Sequence, residues 1–290
     1  MAKKTSESDL NSIYELLLKD FERLTPTERK PARLLLDNFP MVGLETVAQF
    51  AKMANVSGPT IIRLVNKLGF KGYVAFQNKL RQELQARLET PIQKSDKTQR
   101  KHDSIDETIN NFGDIVCQNI KRSLSNIPTS EISSVVQALS NNKQSVFLLG
   151  GRYTDILARH FYLHLHAIRS NTWHISGQSS TWPEYILDIK KNDIVVIFDI
   201  RRYQNDVTKF AQKAVKRGGR IVLFTDQWFS PISHLAHQVF SLQIKVPSNW
   251  DSSVAILTLI DIILAKLTKD LWLEVKDRLE SRETFFQSFC

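Results

Sequence analysis

Thr60, Arg63 and Lys67 fall three and four residues apart, with Asn66 beside them. On a helix that spacing puts them on one face. Guanidinium and carboxamide groups on such a face hydrogen-bond base edges in a DNA major groove, and lysine meets phosphate. Two other stretches carry a different chemistry. Gly150-Gly151-Arg152-Tyr153-Thr154 follows the apolar run SVFLL, and Asp199-Ile200-Arg201-Arg202-Tyr203-Gln204-Asn205-Asp206 follows IVVIF. Glycines let a backbone approach a ligand, and a helix opening there offers free N–H groups to an anion. Two arginines beside them suit a phosphate or carboxylate in forked geometry. Plainer readings fit all three stretches. The first is also a helical hairpin with a solvated basic face. Glycine loops turn any parallel strand, and Arg201 or Arg202 also suits a simple ion pair with Asp199 or Asp206.

The elements that position the first group occupy residues 46–70. Val47, Phe50, Ala51 and Ala54 recur at helical spacing, and Ile61, Leu64, Val65 and Leu68 repeat it. Between the two runs, Asn55 tolerates the left-handed backbone of a tight turn and Val56 is an apolar plug. Ser57 is a helix N-cap, and Pro59 sits in the first turn, where a missing N–H costs little. Ala51 is small enough for two helices to cross closely. Upstream, residues 10–21 form a helix, and Thr25 to Glu28 has the form of a capping box that opens another. Pro31 removes a donor one turn later, so a distorted first turn, or a start near Lys30, is expected. After Gly69, Lys71-Gly72-Tyr73 makes a turn that offers Lys71 and Tyr73 to phosphates, and residues 74–88 return to helical spacing.

Charge separates the halves. The net charge of +9 is carried mainly by residues 1–102, with 18 Lys/Arg against 11 Asp/Glu; the remainder holds 21 against 19. A basic first third points to a polyanionic partner, nucleic acid above all. At 290 residues with 42% hydrophobic and 24% charged content, the chain has the composition of a globular protein of two domains. No run reaches the apolar length of a membrane span; residues 254–264 (VAILTLIDIIL) read as a buried helix. The opening MAKKTSESDL lacks an apolar signal region, and Cys117 and Cys290 fit a reducing compartment, so a cytoplasmic location is expected.

Residues 90–103 are almost without apolar side chains and mark a boundary. Beyond it, helical patterns over 105–124 and 131–139 lead to apolar runs at 145–149, 172–175, 194–198, 220–224 and 239–242, most of them β-branched or aromatic. Helix-like segments at 154–168 and 207–217 separate them. That alternation implies a parallel sheet covered on both faces, with ligands beyond the carboxyl ends of its strands.

The stretches LTPTERKPARLLLDNFP and ANVSGPTIIRLVNKLGFKGY, together with this second half, resemble the RpiR/MurR family of bacterial transcriptional regulators. The helix–turn–helix part of that family reads close to AGVS, then T-hydrophobic-x-R-F-x-x-LGF-x-G; Asn55 replaces its glycine, and Pro31 a non-proline. The resemblance spans about residues 10–88 and 105–267. It implies an all-α helix–turn–helix domain (1–89), a polar linker (90–104) and an α/β sugar isomerase (SIS) domain (105–290) with a five-stranded parallel, flavodoxin-like sheet. It also implies an operator in double-stranded DNA among carbohydrate-metabolism genes, and a homodimer or homotetramer. The SIS domain would sense a small anionic effector, a sugar phosphate or sugar acid, with neither cofactor nor metal.

The DNA-binding residues are then Ser57, Thr60, Arg63, Asn66, Lys67, Lys71 and Tyr73. The effector-binding residues are Gly150, Gly151, Arg152, Thr154, Asp199, Arg201, Arg202, Ser252 and Ser253. Thr154 matches the first-loop hydroxyl of SIS domains, and Ser252 or Ser253 a ligand-facing serine before the last helix. Where phosphosugar-binding SIS domains carry Ser-x-Ser-Gly-x-Thr, this chain reads Asp199-Ile200-Arg201-Arg202-Tyr203, so its pocket chemistry is rewritten. Two other readings remain: a SIS fold used only for dimerisation, or a sugar-phosphate isomerase on a nucleic-acid tether. An isomerase needs a base such as Glu184, His164 or His174, yet none sits in a loop motif that compels the role. His160 and His164, four apart on a helix, lack a third metal ligand. The expectation is a regulator, not an enzyme.

Overall fold

The structure is a computed structural model that describes residues 12–98 and 104–289. Leu10 and Asn11 of the expected first helix, residues 99–103 of the expected linker, and Cys290 lie outside that range. The chain divides into two units, Met1–Thr90 and Pro91–Cys290.

The first unit is helical: α1 (Ile13–Asp20), α2 (Pro26–Asp37), α3 (Met41–Leu44), α4 (Val47–Met53), α5 (Gly58–Lys67) and α6 (Tyr73–Leu88). Each of α1, α2 and α4 opens on a capping box, in which Ser12, Thr25 or Thr46 exchanges hydrogen bonds with Glu15, Glu28 or Gln49. Pro31 does not delay α2, which starts at Pro26 and runs through it. The carbonyl left without a donor is that of exposed Thr27, which water can serve. Asn55 takes φ 52° between α4 and α5, the left-handed turn the sequence calls for. Ile13, Leu17, Leu35, Phe50, Ile61, Val65, Phe76 and Leu80 are fully buried and form one core under all the longer helices.

Burial also traps a carboxylate. Glu83 on α6 accepts the Ile13 N–H at the start of α1 (3.1 Å), with Lys79 Nζ at 4.0 Å. Desolvation pushes its pKa up to about 8, against the partial relief that Lys79 and the Ile13 N–H supply.

The second unit begins with a difference. The segment expected as a polar linker contains a helix, α7 (Pro91–Thr98). Pro at its first position needs no donor, and Lys94 gives it a buried anchor. Helices α8 (Ile105–Ser125) and α9 (Thr129–Ser140) precede the sheet. Its strands are β1 (Val146–Gly150), β2 (Thr172–Ile175), β3 (Ile194–Phe198), β4 (Arg220–Asp226) and β5 (Gln238–Leu242), all parallel in the order β2-β1-β3-β4-β5. Every residue of β1 and β3 is buried, as central strands covered on both faces require. One face packs on α11 (Trp182–Asp188) and α12 (Asn205–Lys216) through Trp182, Phe210 and Ala214. On the other side α10 (Asp155–Ile168) brings Phe161 edge-on to Phe224 of β4, 6.3 Å between centroids. The oily stretch at 254–264 belongs to α13 (Val254–Asp270), with Ile256, Leu259, Ile260 and Ile263 fully buried. A last helix, α14 (Trp272–Phe289), has no counterpart among the sequence expectations. The order reverses between β1 and β3, so the loops that follow those strands flank the crevice where such sheets hold ligands.

Glu83 yields a pH test. Between the usual carboxylate pKa near 4.5 and its folded value of about 8, the folded state binds the extra proton. Stability therefore falls as pH rises through that interval and levels off above it. Glu83→Gln removes the titration. Denaturant melts at pH 5, 6.5 and 8 should show wild type losing on the order of a few kcal/mol relative to the variant as pH rises. Parallel curves would put the proton elsewhere.

Candidate functional site

In the first unit, α5 places its polar residues unequally. Arg63, Asn66 and Lys67 are exposed, and so is Lys71 in the turn that follows. Ser57 is the exposed N-cap residue of α5, but its hydroxyl lies 3.0 Å from that of Thr60 rather than on a helix N–H. Thr60 turns inward, a correction to the expected face: it is 2% exposed. It stands four residues before Leu64, on the buried stripe, where its Oγ1 accepts from Arg63 Nη2 at 3.3 Å. Thr60 thus orients Arg63 and does not itself reach a groove.

Lys67 has a second role. Its Nζ donates to Glu28 Oε2 at 2.7 Å, and Glu28 is 4% exposed. Burial opposes the charged carboxylate of Glu28, yet the Lys67 ammonium and the Thr25 donors outweigh it and hold its pKa below the usual value. The pair fixes the C-terminal end of α5 to α2. Tyr73 is a second correction. It is 8% exposed, and its hydroxyl donates to the carbonyls of Gly43 (3.2 Å) and Glu45 (2.9 Å). Desolvation, reinforced by Glu45, pushes the phenol up to about 12. Its side chain closes the end of α3 and is not offered to a phosphate.

In the second unit, the chain turns so sharply after β1 that a Cβ on Gly150 would come within 2.4 Å of the Thr154 and Asp155 backbone. Thr154 is a buried brace here. It accepts from the Gly151 N–H and donates to the Phe198 carbonyl, both at 2.7 Å, tying the loop after β1 to the end of β3. Its hydroxyl is therefore turned into the protein. The N–H groups of this loop do face an acceptor: Gln204 Oε1 accepts from Arg152 N and occupies the space a Gly151 side chain would need. Arg152 itself is exposed, 5.2 Å over the Tyr153 ring.

The loop after β3 is organised by Asp226 at the end of β4, which the sequence reading missed. Its buried carboxylate accepts from Arg201 N (2.6 Å), the Tyr203 hydroxyl (2.7 Å) and Trp228 N (2.9 Å). Burial raises its pKa, and those donors, with the Arg201 charge, oppose the rise. Asp199 is buried too and receives the Ser230 hydroxyl. Held this way, Arg201 and Arg202 take φ 32° and 59°, a left-handed pair that needs such bracing. The Arg201 guanidinium lies 4.6 Å over Trp228, and its Nε is 2.7 Å from Asp251 Oδ2. Arg202 is exposed. Ser252 donates its backbone N–H to Ile244 and accepts from Val254 N at 3.4 Å; Ser253 caps α13 without a side-chain hydrogen bond to it.

The structure therefore gathers the loops that carry Gly150 to Thr154, Asp199 to Tyr203 and Ser252 at one edge of the sheet. Asp226 and Asp251 left one weak signal each, an acid at the end of a strand and one beside a serine pair. Elsewhere, His174 Nε2 is 2.8 Å from Asp155 Oδ1, and the His160 and His164 rings lie 4.6 Å apart at a tilt of 47°. Among the described residues, no three His, Cys, Asp or Glu side chains are grouped to hold a metal, and no helix is long and apolar enough to cross a membrane.

Comparison with known proteins agrees with both halves. Residues 12–87 match the family model of the helix-turn-helix domain, rpiR family, and residues 138–266 match the SIS domain. A Providencia stuartii protein described as an uncharacterized HTH-type transcriptional regulator in the aarA 3' region is 26% identical over 75% of this chain and 74% of its own length. The sugar isomerase domain of an RpiR transcription factor from Sphaerobacter thermophilus superposes with TM-score 0.56, at 17% identity, over 60% of this chain and 96% of that one. The Vibrio vulnificus NanR protein complexed with ManNAc-6P gives TM-score 0.54, at 18% identity, over 96% of this chain and 98% of that one. At such identities the structures establish the fold.

The altered role of Tyr73 is open to test. Tyr73→Phe should cost about 1 kcal/mol of stability by removing the hydroxyl that the Gly43 and Glu45 carbonyls share. It should leave the salt dependence of DNA binding unchanged, since that slope counts phosphate contacts. A reduced slope in a fluorescence-anisotropy titration would return Tyr73 to the DNA face.

Proposed function

The chain belongs to the RpiR-type regulators, which join a helix–turn–helix domain to a SIS domain, and we propose that it binds an operator in double-stranded DNA under the control of a small anionic metabolite. One observation supports the DNA half above others: Arg63, Asn66, Lys67 and Lys71 lie exposed along one edge of α5 and the turn after it. With Ser57 at its start, this is the edge that enters a major groove. The effector half rests on the loops at the carboxyl edge of the sheet, which carry Arg201 with its side chain withdrawn from water and Arg152 and Arg202 exposed. The NanR relative was solved with a phosphosugar, which favours a sugar phosphate, with a sugar acid as the alternative.

The regulated genes would be those of carbohydrate metabolism. An operator of two half-sites is matched by a homodimer or homotetramer. The effector then alters DNA affinity only so far as it binds one arrangement of the assembly better than another. The His174–Asp155 pair supports a competing reading, a sugar-phosphate isomerase with a DNA-binding tether; steady turnover of an aldose or ketose phosphate by the full chain would replace the sensor view.

Arg63→Ala should weaken binding to the specific operator by roughly 1–3 kcal/mol and relax the preference at one base position. Lys71→Ala should weaken all sequences alike and reduce the salt slope by about one. Equal behaviour of both variants and wild type in gel shift would move the DNA contact off α5. For the effector, a thermal-shift screen of sugar phosphates, sugar acids and keto acids should find a stabilising class. Arg201→Ala and Arg202→Ala should together lose most of that stabilisation; unchanged melting shifts in both would place the pocket elsewhere.

A further inference from the structure

The irregular segment between β5 and α13 reaches both ligand loops and α7. Trp250, 61% exposed, packs its ring against Tyr153 of the first loop, 6.4 Å between centroids. The next residue, Asp251, is shared. Its Oδ2 lies 2.7 Å from Arg201 Nε and its Oδ1 2.7 Å from Lys94 Nζ. All three side chains are largely withdrawn from water, at 8% exposure for Arg201, 10% for Lys94 and 20% for Asp251.

The arrangement has the form of an anion site already filled from within. Two cations converge on one carboxylate. Arg201 cannot follow a departing partner, because its backbone is held by Asp226 and its guanidinium lies over Trp228. Asp251, by contrast, hangs from backbone in neither helix nor strand. The neighbouring loop repeats the pattern, with the neutral oxygen of Gln204 on Arg152 N. At both loops an acceptor from the chain itself stands on donors that suit an anionic ligand.

We propose that Lys94 and Arg201 form the subsite for the effector's phosphate or carboxylate, and that Asp251 is the resident counter-ion which that group replaces. The proposal deepens the effector reading above and rests on it. It adds a ligand contact from α7, whose residue 94 lies four positions past the end of the DNA-binding unit in sequence. A ligand that exchanges Asp251 for its own acid group changes what holds the segment that leads to that unit. This supplies the differential contact a switch needs.

Inorganic phosphate is the probe, titrated calorimetrically at constant ionic strength into the full chain. Asp251→Asn keeps the side-chain shape and removes the competing charge, so phosphate affinity should rise about tenfold or more. Lys94→Met added to Asp251→Asn should return affinity to the wild-type level or below, and Arg201→Gln should do the same. Circular dichroism checks that each variant is folded. Unchanged affinity in Asp251→Asn overturns the proposal, as does a gain that survives Lys94→Met. A sugar phosphate that binds wild type and Lys94→Met equally well would sink the subsite alone. If no sugar phosphate binds wild type while the phosphate results hold, the effector class falls and the subsite stands.

Discussion

The carboxylate of Asp226 is the constraint on which the ligand edge of the sheet depends. It is fully buried at the end of β4, and a charge in that position is tolerated only when donors surround it. Three supply it: two from the loop after β3 and one from the loop after β4. Meeting that requirement draws Arg201 and Arg202 into left-handed backbone and fixes the direction in which Arg201 leaves the main chain. The guanidinium then has Trp228 beneath it and Asp251 beyond it, and Asp251 in turn holds Lys94. A chain of charges thus runs from the sheet interior to α7.

The DNA-binding unit uses the same device at smaller scale. Its helices are short, and none would persist alone; burial of one shared core holds them. Within that core two acids are placed where a helix needs orientation. Glu28 caps α2 and receives Lys67 from the last turn of α5, so the angle of α5 is set by a charge pair as well as by Ile61, Leu64 and Val65. Glu83 meets the first free N–H of α1. Each acid satisfies helix-end groups that would otherwise be buried without partners.

Local pattern made most of this architecture legible. Capping boxes, β-branched runs and the Asn55 turn depend on neighbours within a few residues, and the elements formed where those signals stood. Thr60 and Tyr73 show the limit of reading side-chain type ahead of position. Thr60 precedes Leu64 by four and Tyr73 precedes Phe76 and Leu80 by three and seven, so helical spacing had already put both on buried stripes. Their polar groups suggested a partner outside the protein, while the fold used them inside it. Asp226, Asp251 and Lys94 were illegible for another reason. Asp251 meets a cation 50 residues away and another 157 away, and no local pattern encodes such a meeting. Even α7 gave little sign of itself, because a two-turn helix anchored by one lysine has no apolar stripe.

The exchange of a hydroxyl-and-glycine loop for one bearing Arg201 and Arg202 changes what the ligand-free site must contain. Serine hydroxyls and glycine N–H groups in an open loop are served by water when no ligand is bound. An arginine at 8% exposure is not. A buried cation stripped of its partner destabilises a fold by about 3–5 kcal/mol, so a counter-ion must be present in the empty state. Asp251 fills that requirement, and its presence makes ligand affinity a difference between two charge pairs. On the proposed reading, such a site would reject neutral sugars, which cannot replace a carboxylate, and respond to acids that bring their own charge. On that proposal the rewritten loop would alter selectivity while keeping the fold: the sheet, its switch point and the helix that opens at Asp155 stay as the architecture demands.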